Sequence, residues 1–290
     1  MTALIGLAAD PLAFPFMQQA LLVAVVVGVT AAVLSCYLVL RGWSLMGDAV
    51  SHAVLPGLVL AEVAGLPLII GAFVAGLGCA LATGWLKANS RIKGDTVLGI
   101  VFSGMFALGL VLFTKIDTDQ HLTHILFGNL LGVSGADIIE TLAAGTACLA
   151  FVLVKRRDLL LVSFDVGHAH AIGLPVRVLH VGFLIAMSLT IVVALKAVGV
   201  ILVVAMLIAP GAIGFLLTSR FDRMLMVAVG SAVIASVIGT LASFHLDAAT
   251  GACIVLVQSA LFVLALLFAP RRGLFRGILR HAQMSGEVPR

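Results

Sequence analysis

Asp48 and His52 are the two residues of this sequence whose types and spacing best suit metal binding. They lie four positions apart, so on a helix the carboxylate and the imidazole would project from one face, about one turn apart. An Asp oxygen combined with a His nitrogen suits Mn(II), Fe(II) or Zn(II), whereas an all-oxygen cage suits Mg(II) or Ca(II) and thiolates suit Cu(I). The pair therefore predicts a site for a divalent transition metal. The alternative is structural, with Asp48 capping a helix and His52 hydrogen-bonded to a neighbouring helix.

Pro56 comes one helical turn after His52 and should bend the helix beside this pair. Proline has no N–H for the carbonyl four residues earlier, and its ring clashes with that carbonyl. The His52 carbonyl would then lose its helical partner, which is tolerated at membrane depth only beside protein or a water-filled cavity. Pro210 should act on Met206 in the same way, in a later apolar segment that either lines a pathway or is simply kinked.

A second group of polar residues could pass a cation toward such a site. His121 and His124 are three positions apart, and Asp117 and Asp119 precede them at the end of an apolar segment. This spacing allows both imidazoles to face one side of a helical turn at a possible outer mouth of the pathway. Solvated side chains of an exposed loop are the alternative interpretation.

The composition indicates what kind of protein must position these groups. Of the 290 residues, 62% are hydrophobic and only 10% are charged, with a mean hydropathy of +1.25. Soluble domains carry about 25% charged residues, so a water-soluble enzyme or a nucleic-acid-binding protein is excluded. The basic residues are scattered over segment ends and form no stripe. The cysteines lie in apolar runs without a CxxC pair and should be packing residues: Cys36, Cys79, Cys148 and Cys253.

These features predict an all-α polytopic membrane protein in which residues 1–290 form a single transmembrane domain. A membrane-crossing helix needs about 20 mostly apolar residues. Eight segments meet that requirement, at about 16–40, 67–86, 96–114, 137–154, 178–198, 200–218, 224–244 and 250–269. A further segment, at about 48–65, contains the Asp48–His52 pair and is shorter and interrupted. Eight or nine helices should therefore cross the membrane.

The distribution of basic residues predicts the orientation. Cytoplasmic loops of membrane proteins are enriched in Lys and Arg, and 15 of the 17 such residues here fall in one set of alternating loops and tails, with only Lys115 and Lys196 near the opposite ends. With nine crossings the N terminus would lie outside. The basic tail, residues 271–290, would lie in the cytoplasm.

Residues 158–177 form the longest hydrophilic connection and the predicted contact with a partner. The loop can hold one short helix, and an amphipathic helix between two spans either rests on lipid headgroups or docks into a protein groove. Its single basic flank favours the protein partner. The sequence has no G-x-x-x-x-G-K-[ST] motif, so the chain is not itself an ATPase. The apolar face of that helix would consist of Phe164, Val166, Ala169 and Ile172.

Several long stretches together resemble the membrane subunits of bacterial ABC importers for manganese, zinc and iron. The first is Gly47-Asp-Ala-Val-Ser-His-Ala-Val-Leu-Pro-Gly57, which contains the Asp48–His52 pair. The others follow in the same order as in the family, without large insertions, at 94–104, 124–132, 171–177 and 195–210. The resemblance covers about residues 16–273.

The resemblance implies a type II ABC importer permease in the bacterial inner membrane. It implies a homodimer, a pair of cytoplasmic ATP-binding subunits and an extracytoplasmic metal-binding protein that delivers the ion. Asp48 and His52 match the positions that hold the ion, and His121, His124, Met206 and Pro210 are further pathway or mouth candidates. No cofactor is expected to be permanently bound. The residues implied in coupling to the ATPase are Phe164, Asp165, His168, Ala171, Gly173 and Leu174.

The function implied is ATP-driven import of Mn(II), Zn(II) or Fe(II) by alternating access, with a slight preference for manganese or iron. One alternative is an ion-coupled secondary transporter, which would also use carboxylates and broken helices inside the membrane. That class predicts more acidic residues in mid-span than this sequence has. The other alternative is a siderophore or vitamin permease of the ABC class, which needs a wide pore, whereas an Asp-x-x-x-His pair suits a bare ion.

Overall fold

The computed structural model describes residues 11, 13–115 and 130–269, and all regular structure among them is helical. The predicted all-α class is therefore confirmed. A short 3₁₀ turn, Leu130–Gly132, precedes the sixth helix. The helices are α1 (Pro15–Leu40), α2 (Met46–Ala53), α3 (Leu55–Val63), α4 (Leu68–Asn89), α5 (Gly94–Lys115), α6 (Gly135–Val154), α7 (Arg156–Phe164), α8 (Val166–Ala171), α9 (Val176–Leu217), α10 (Phe221–Leu246) and α11 (Thr250–Phe268).

Helix α1 is the centre of the bundle. In its most apolar stretch 72% of the residues are buried, against 17% in α5 and 22% in α11. All three helices are apolar around their whole circumference, as expected where lipid and protein interior are equally apolar surroundings. The helices that form the candidate site, α2 and α3, are 67% buried. The site therefore lies on an inner element of the bundle.

The membrane segment that contains the Asp48–His52 pair is interrupted, as the sequence predicts. Helix α2 ends at Ala53, Val54 is the junction, and α3 begins at Leu55 with Pro56 in its first turn, where a proline is best accommodated. The backbone N–H of Val54 is directed toward the His52 carbonyl, while Pro56 has no N–H to supply the usual helical hydrogen bond to it. Since Val54 keeps helical backbone angles, α2 and α3 cross the membrane together as one bent segment.

Helix α9 is a hairpin of two membrane-crossing arms that reverses at Gly199. The ring of Phe183 lies 6.1 Å from that of Tyr37, and the N–H of Gly211 donates to Ser35 Oγ at 3.0 Å. A straight helix would separate Phe183 from Gly211 by about 42 Å, yet both contact the same end of α1. Gly199 has φ 77° and ψ 168°, a conformation open in practice only to glycine.

The reversal at Gly199 divides α9 into two apolar arms. In the described part of the chain, eight segments are long and apolar enough to span a membrane, and the second arm of α9, Leu202–Leu217, is a further, shorter apolar helix. Pro210 bends this arm, and the Ser35 hydroxyl, which also donates to the Ile208 carbonyl at 3.2 Å, supplies a partner to its backbone.

The loop after α6 differs from the single amphipathic helix that the sequence predicts. It contains two short helices, α7 and α8, separated at Asp165. Phe164 ends the first of them, and only Ala169 of the predicted apolar face is buried, whereas Phe164, Val166 and Ile172 are at least half exposed. The prediction was wrong because Asp165 leaves helical geometry and caps α8, which separates the residues that a continuous helix would align.

Candidate metal site

The two predicted ligands converge in the structure. His52 Nε2 lies 3.3 Å from Asp48 Oδ1. Two donor atoms that each lie about 2.1 Å from one metal ion, at an angle of about 100°, are about 3.2 Å apart. The observed separation therefore allows both atoms to bind one ion with little movement. It is equally suited to a charge-assisted hydrogen bond when no ion is present.

Asp48 and His52 form the partly exposed, polar face of a helix that is otherwise buried. The side chains of Asp48 and His52 are 34% and 27% exposed in the single chain. A hydrated or arriving ion could therefore reach them from one side only. The other α2 residues with described burial face the protein interior: Met46, Gly47, Ala49, Val50, Ser51 and Ala53.

The start of α2 gives little support to the alternative in which Asp48 caps the helix. Helix α2 has no side-chain cap, and its N-cap residue is Leu45. Asp48 stands in the first turn and His52 in the last, so both complement the helix dipole. That effect favours a carboxylate near the start of the helix and an imidazole near its end. It does not explain why both project into the same opening.

Two phenylalanines of α5 form a wall against His52. The ring centroids of Phe102 and Phe106 lie 5.6 Å and 5.3 Å from that of the imidazole, and Phe106 meets it edge to face. Such contacts restrict the rotation of the imidazole and keep water from its flank. Sequence reasoning did not identify either residue. The available signal was their own spacing of four, which places both rings on one face of α5.

Replacing Phe106 with Ala should weaken metal recognition about tenfold, because outer-shell partners that orient a ligand typically contribute 10- to 100-fold to affinity. The measurement is the Mn(II) concentration that half-saturates binding to the purified protein. Leu108→Ala on the same helix is the control, since Leu108 is 53% exposed. An unchanged half-saturation concentration in Phe106→Ala would show that the ring does not position His52.

Close packing by small residues holds α2 and α3 in place. A Cβ atom on Gly47 would lie 2.8 Å from Leu207 Cδ1 in the second arm of α9, and one on Gly109 of α5 would lie 2.8 Å from the Pro56 ring. Neither glycine can be enlarged without displacing a neighbour. The segment formed by α2 and α3 therefore packs closely against both α9 and α5, while Asp48 and His52 stay partly exposed to solvent.

Two of the other predicted pathway residues, Met206 and Pro210, lie in the second arm of α9. Met206 is 1% exposed and belongs to the hydrophobic core, and Pro210 is buried in the same arm. His121 and His124 lie outside the described residues. Among the described residues no group of three or more His, Cys, Asp or Glu side chains could hold a metal ion. The described part of the chain thus offers Asp48 and His52 as candidate ligands at this site.

The predicted coupling residues form a largely exposed segment after α7. Phe164 is 68% exposed, and Asp165 Oδ1 accepts the backbone N–H of His168 at 2.8 Å, which caps α8. Gly173 has φ 78° and ends α8 in a Schellman motif, with the Leu174 N–H donating to the Ala169 carbonyl at 3.0 Å. Two of the six residues, Asp165 and Gly173, therefore shape the segment. Phe164, His168 and Ala171 offer exposed surface.

Comparison with known proteins places this chain among membrane components of metal transport systems. Residues 13–269 match the ABC 3 transport family. The chain is 61% identical to the chelated iron transport system membrane protein YfeD of Yersinia pestis, covering 92% of this chain and 90% of that protein. It is 52% identical to the manganese transport system membrane protein MntB of a Synechocystis strain, covering 91% and 87%. The solved structure of PsaBC from Streptococcus pneumoniae in complex with Fab matches with a TM-score of 0.83 and 38% identity, over 98% of this chain and 100% of that one.

Proposed function

The chain belongs to the ABC 3 transport family and is a multi-pass protein of the bacterial inner membrane, and on this basis we propose that it is the permease subunit of an ATP-driven importer of a divalent transition metal. The observation that carries the proposal is the 3.3 Å separation of Asp48 Oδ1 and His52 Nε2 inside a buried apolar segment. Ionisable side chains at membrane depth are energetically unfavourable and mark ion pathways.

We assign Mn(II) or Fe(II) as the cargo. The relatives at 61% and 52% identity are named for chelated iron and for manganese transport. One carboxylate oxygen and one imidazole nitrogen suit both ions, and they also suit Zn(II). Because affinity alone does not select among these metals, the cargo is to be decided by transport measurements.

A site with two protein ligands suits a transported ion better than a resident one. Structural zinc sites close four protein ligands around the ion and hold it tightly. Here the remaining positions would be filled by water, by backbone oxygen or by a second copy of the chain in a homodimer. The pair, about one third exposed, leaves room for any of these. The ion can then arrive from an extracytoplasmic metal-binding protein and leave toward the cytoplasm.

The energy would come from two ATP-binding subunits, since the sequence has no phosphate-binding motif of its own. The exposed segment from Phe164 to Gly173 is the proposed docking surface for these subunits. ATP binding would close the pair of subunits and turn the permease outward. Hydrolysis would then return it to the inward-facing state, so that the metal site faces one side of the membrane at a time.

Reconstitution of the permease with its ATP-binding subunits and metal-binding protein in proteoliposomes tests the proposal. We expect uptake of Mn(II) or Fe(II) that requires ATP and is lost when the partner subunit cannot hydrolyse it. Uptake driven by a proton gradient without ATP would indicate a secondary transporter. Preferential uptake of a metal chelate over the bare ion would indicate a siderophore-type permease, and preference for Zn(II) would correct the cargo.

A further inference from the structure

Arg41 lies at the end of α1, shortly before the helix with the proposed metal ligands, and it contacts α7, the helix beside the proposed docking surface. It is the C-cap residue of α1, and its Nε–H donates to Ser163 Oγ of α7 at 2.9 Å. The Ser163 hydroxyl in turn donates to the Leu159 carbonyl at 2.6 Å. This contact links residues 122 positions apart in the sequence. Ser163 immediately precedes Phe164, where the exposed segment begins.

The Arg41 guanidinium is held by aromatic rings and is not neutralised. Its Cζ lies 4.4 Å from the centroid of the Phe183 ring and 5.5 Å from that of Trp43. Burial lowers the pKa of Arg41 to about 10, so the group remains charged at neutral pH. No carboxylate in the described part of the chain lies within ion-pairing distance of it. A partly buried cation that has no ion-pair partner among the described residues is unfavourable for stability alone, which points to another role.

The backbone between Arg41 and the proposed metal ligands is short and hydrogen-bonded. Gly42 has φ 65° and closes α1 in a Schellman motif, with the Trp43 N–H donating to the Leu38 carbonyl at 2.8 Å. The Met46 N–H then donates to the Trp43 carbonyl at 2.9 Å, and α2 starts there. Asp48 follows in the first turn of α2.

Helix α7 is anchored so that it moves together with the end of α1. Leu159 is 0% exposed and Val162 is 6% exposed. The Tyr37 hydroxyl donates to the Arg156 carbonyl at 3.4 Å, and Arg156 forms an ion pair with Asp222 at the start of α10. The first residue of α7 is thus hydrogen-bonded to α1 and ion-paired with α10, whereas the last turn of α7 is hydrogen-bonded to Arg41.

We propose that Arg41 is a positioning residue that transmits movement of α7 to the Asp48–His52 helix through its hydrogen bond with Ser163. This inference rests on the proposed transport function and adds a path from the ATP-driven movement to the metal site. A hydrogen bond from a charged donor is short and directional, so displacement of the last turn of α7 changes the position of the guanidinium. The short, hydrogen-bonded turn at Gly42 then shifts α2.

The test uses the complete transporter and measures Mn(II) imported per ATP hydrolysed. In Ser163→Ala we expect this ratio to fall about fivefold, while assembly with the ATP-binding subunits, ATP hydrolysis and equilibrium Mn(II) binding persist. Ser163→Thr keeps the hydroxyl and should restore the ratio. Thr146→Ala is the matched control, because the Thr146 hydroxyl also donates to the carbonyl four residues earlier, at 2.7 Å, on an exposed site far from Arg41 in the chain.

A second variant separates transmission from stability. Arg41→Lys keeps the charge but lacks the Nε donor, so the double variant Arg41→Lys with Ser163→Ala should transport no worse than the poorer single variant. Additive losses would overturn the proposal. A wild-type ratio in Ser163→Ala, an equal loss in Thr146→Ala, or failure of both Ser163 variants to assemble would also overturn it. Absence of ATP-dependent uptake in the wild-type complex would instead refute the proposed function, and the relay with it.

Discussion

Replacing Asp48 with Asn, or His52 with Gln, is expected to reduce metal uptake by about 100-fold or more, equivalent to about 2.7 kcal/mol of lost metal stabilisation. Each substitution keeps the approximate shape of the side chain but weakens or removes one of the two candidate ligands found among the described residues. The Asn amide carries no charge for the cation, and the Gln side chain lacks the imidazole nitrogen. The measurement is initial Mn(II) uptake by the reconstituted complex.

Asp247→Asn is the matched control for these substitutions. Asp247 ends α10 in the left-handed conformation with φ 48°, which Asn adopts readily, and it lies outside the candidate site. We expect the control to transport at the wild-type rate. If Asp48→Asn and His52→Gln both transported within twofold of the wild type, the two residues would not form the metal site.

Gly57→Ala is expected to destabilise the protein by about 3 kcal/mol or more, because it inserts a methyl group where two helices have no space between them. A Cβ on Gly57 of α3 would overlap the carbonyl oxygen of Gly71 in α4 and would lie 2.5 Å from the Ala75 methyl. The reciprocal contact is equally close, since a Cβ on Gly71 would overlap the Gly57 carbonyl. The helices can separate only by moving backbone.

The consequence for transport follows from the position of Gly57 five residues after His52. If α3 moves away from α4, α2 and its Asp48–His52 pair move with it. Thermal unfolding of the purified permease and its amount in the membrane should both fall, and uptake should be lost. Gly78→Ala on α4 is the control, because a Cβ there would meet nothing within 4 Å. Equal stability of the two variants would contradict the packing argument.

Much of the architecture could be predicted from the sequence. The apolar segments match the helices of the structure, the interruption before Pro56 is present, and the fold class, the family resemblance and the membrane location are confirmed. These features depend on local composition, which a single sequence contains. The loop 158–177 was predicted less well, because one Asp in an otherwise helical stretch ended one helix and capped the next.

The sequence by itself determined that Asp48 and His52 share a helix face, because a spacing of four residues fixes their direction once the segment is helical. Only the tertiary structure decided what surrounds them. Phe102 and Phe106 reach His52 from another helix, the chain reverses at Gly199, and Arg41 finds Ser163 across 122 positions. Contacts between distant residues depend on how the helices pack, and that information is spread over the whole chain and is not contained in any one segment.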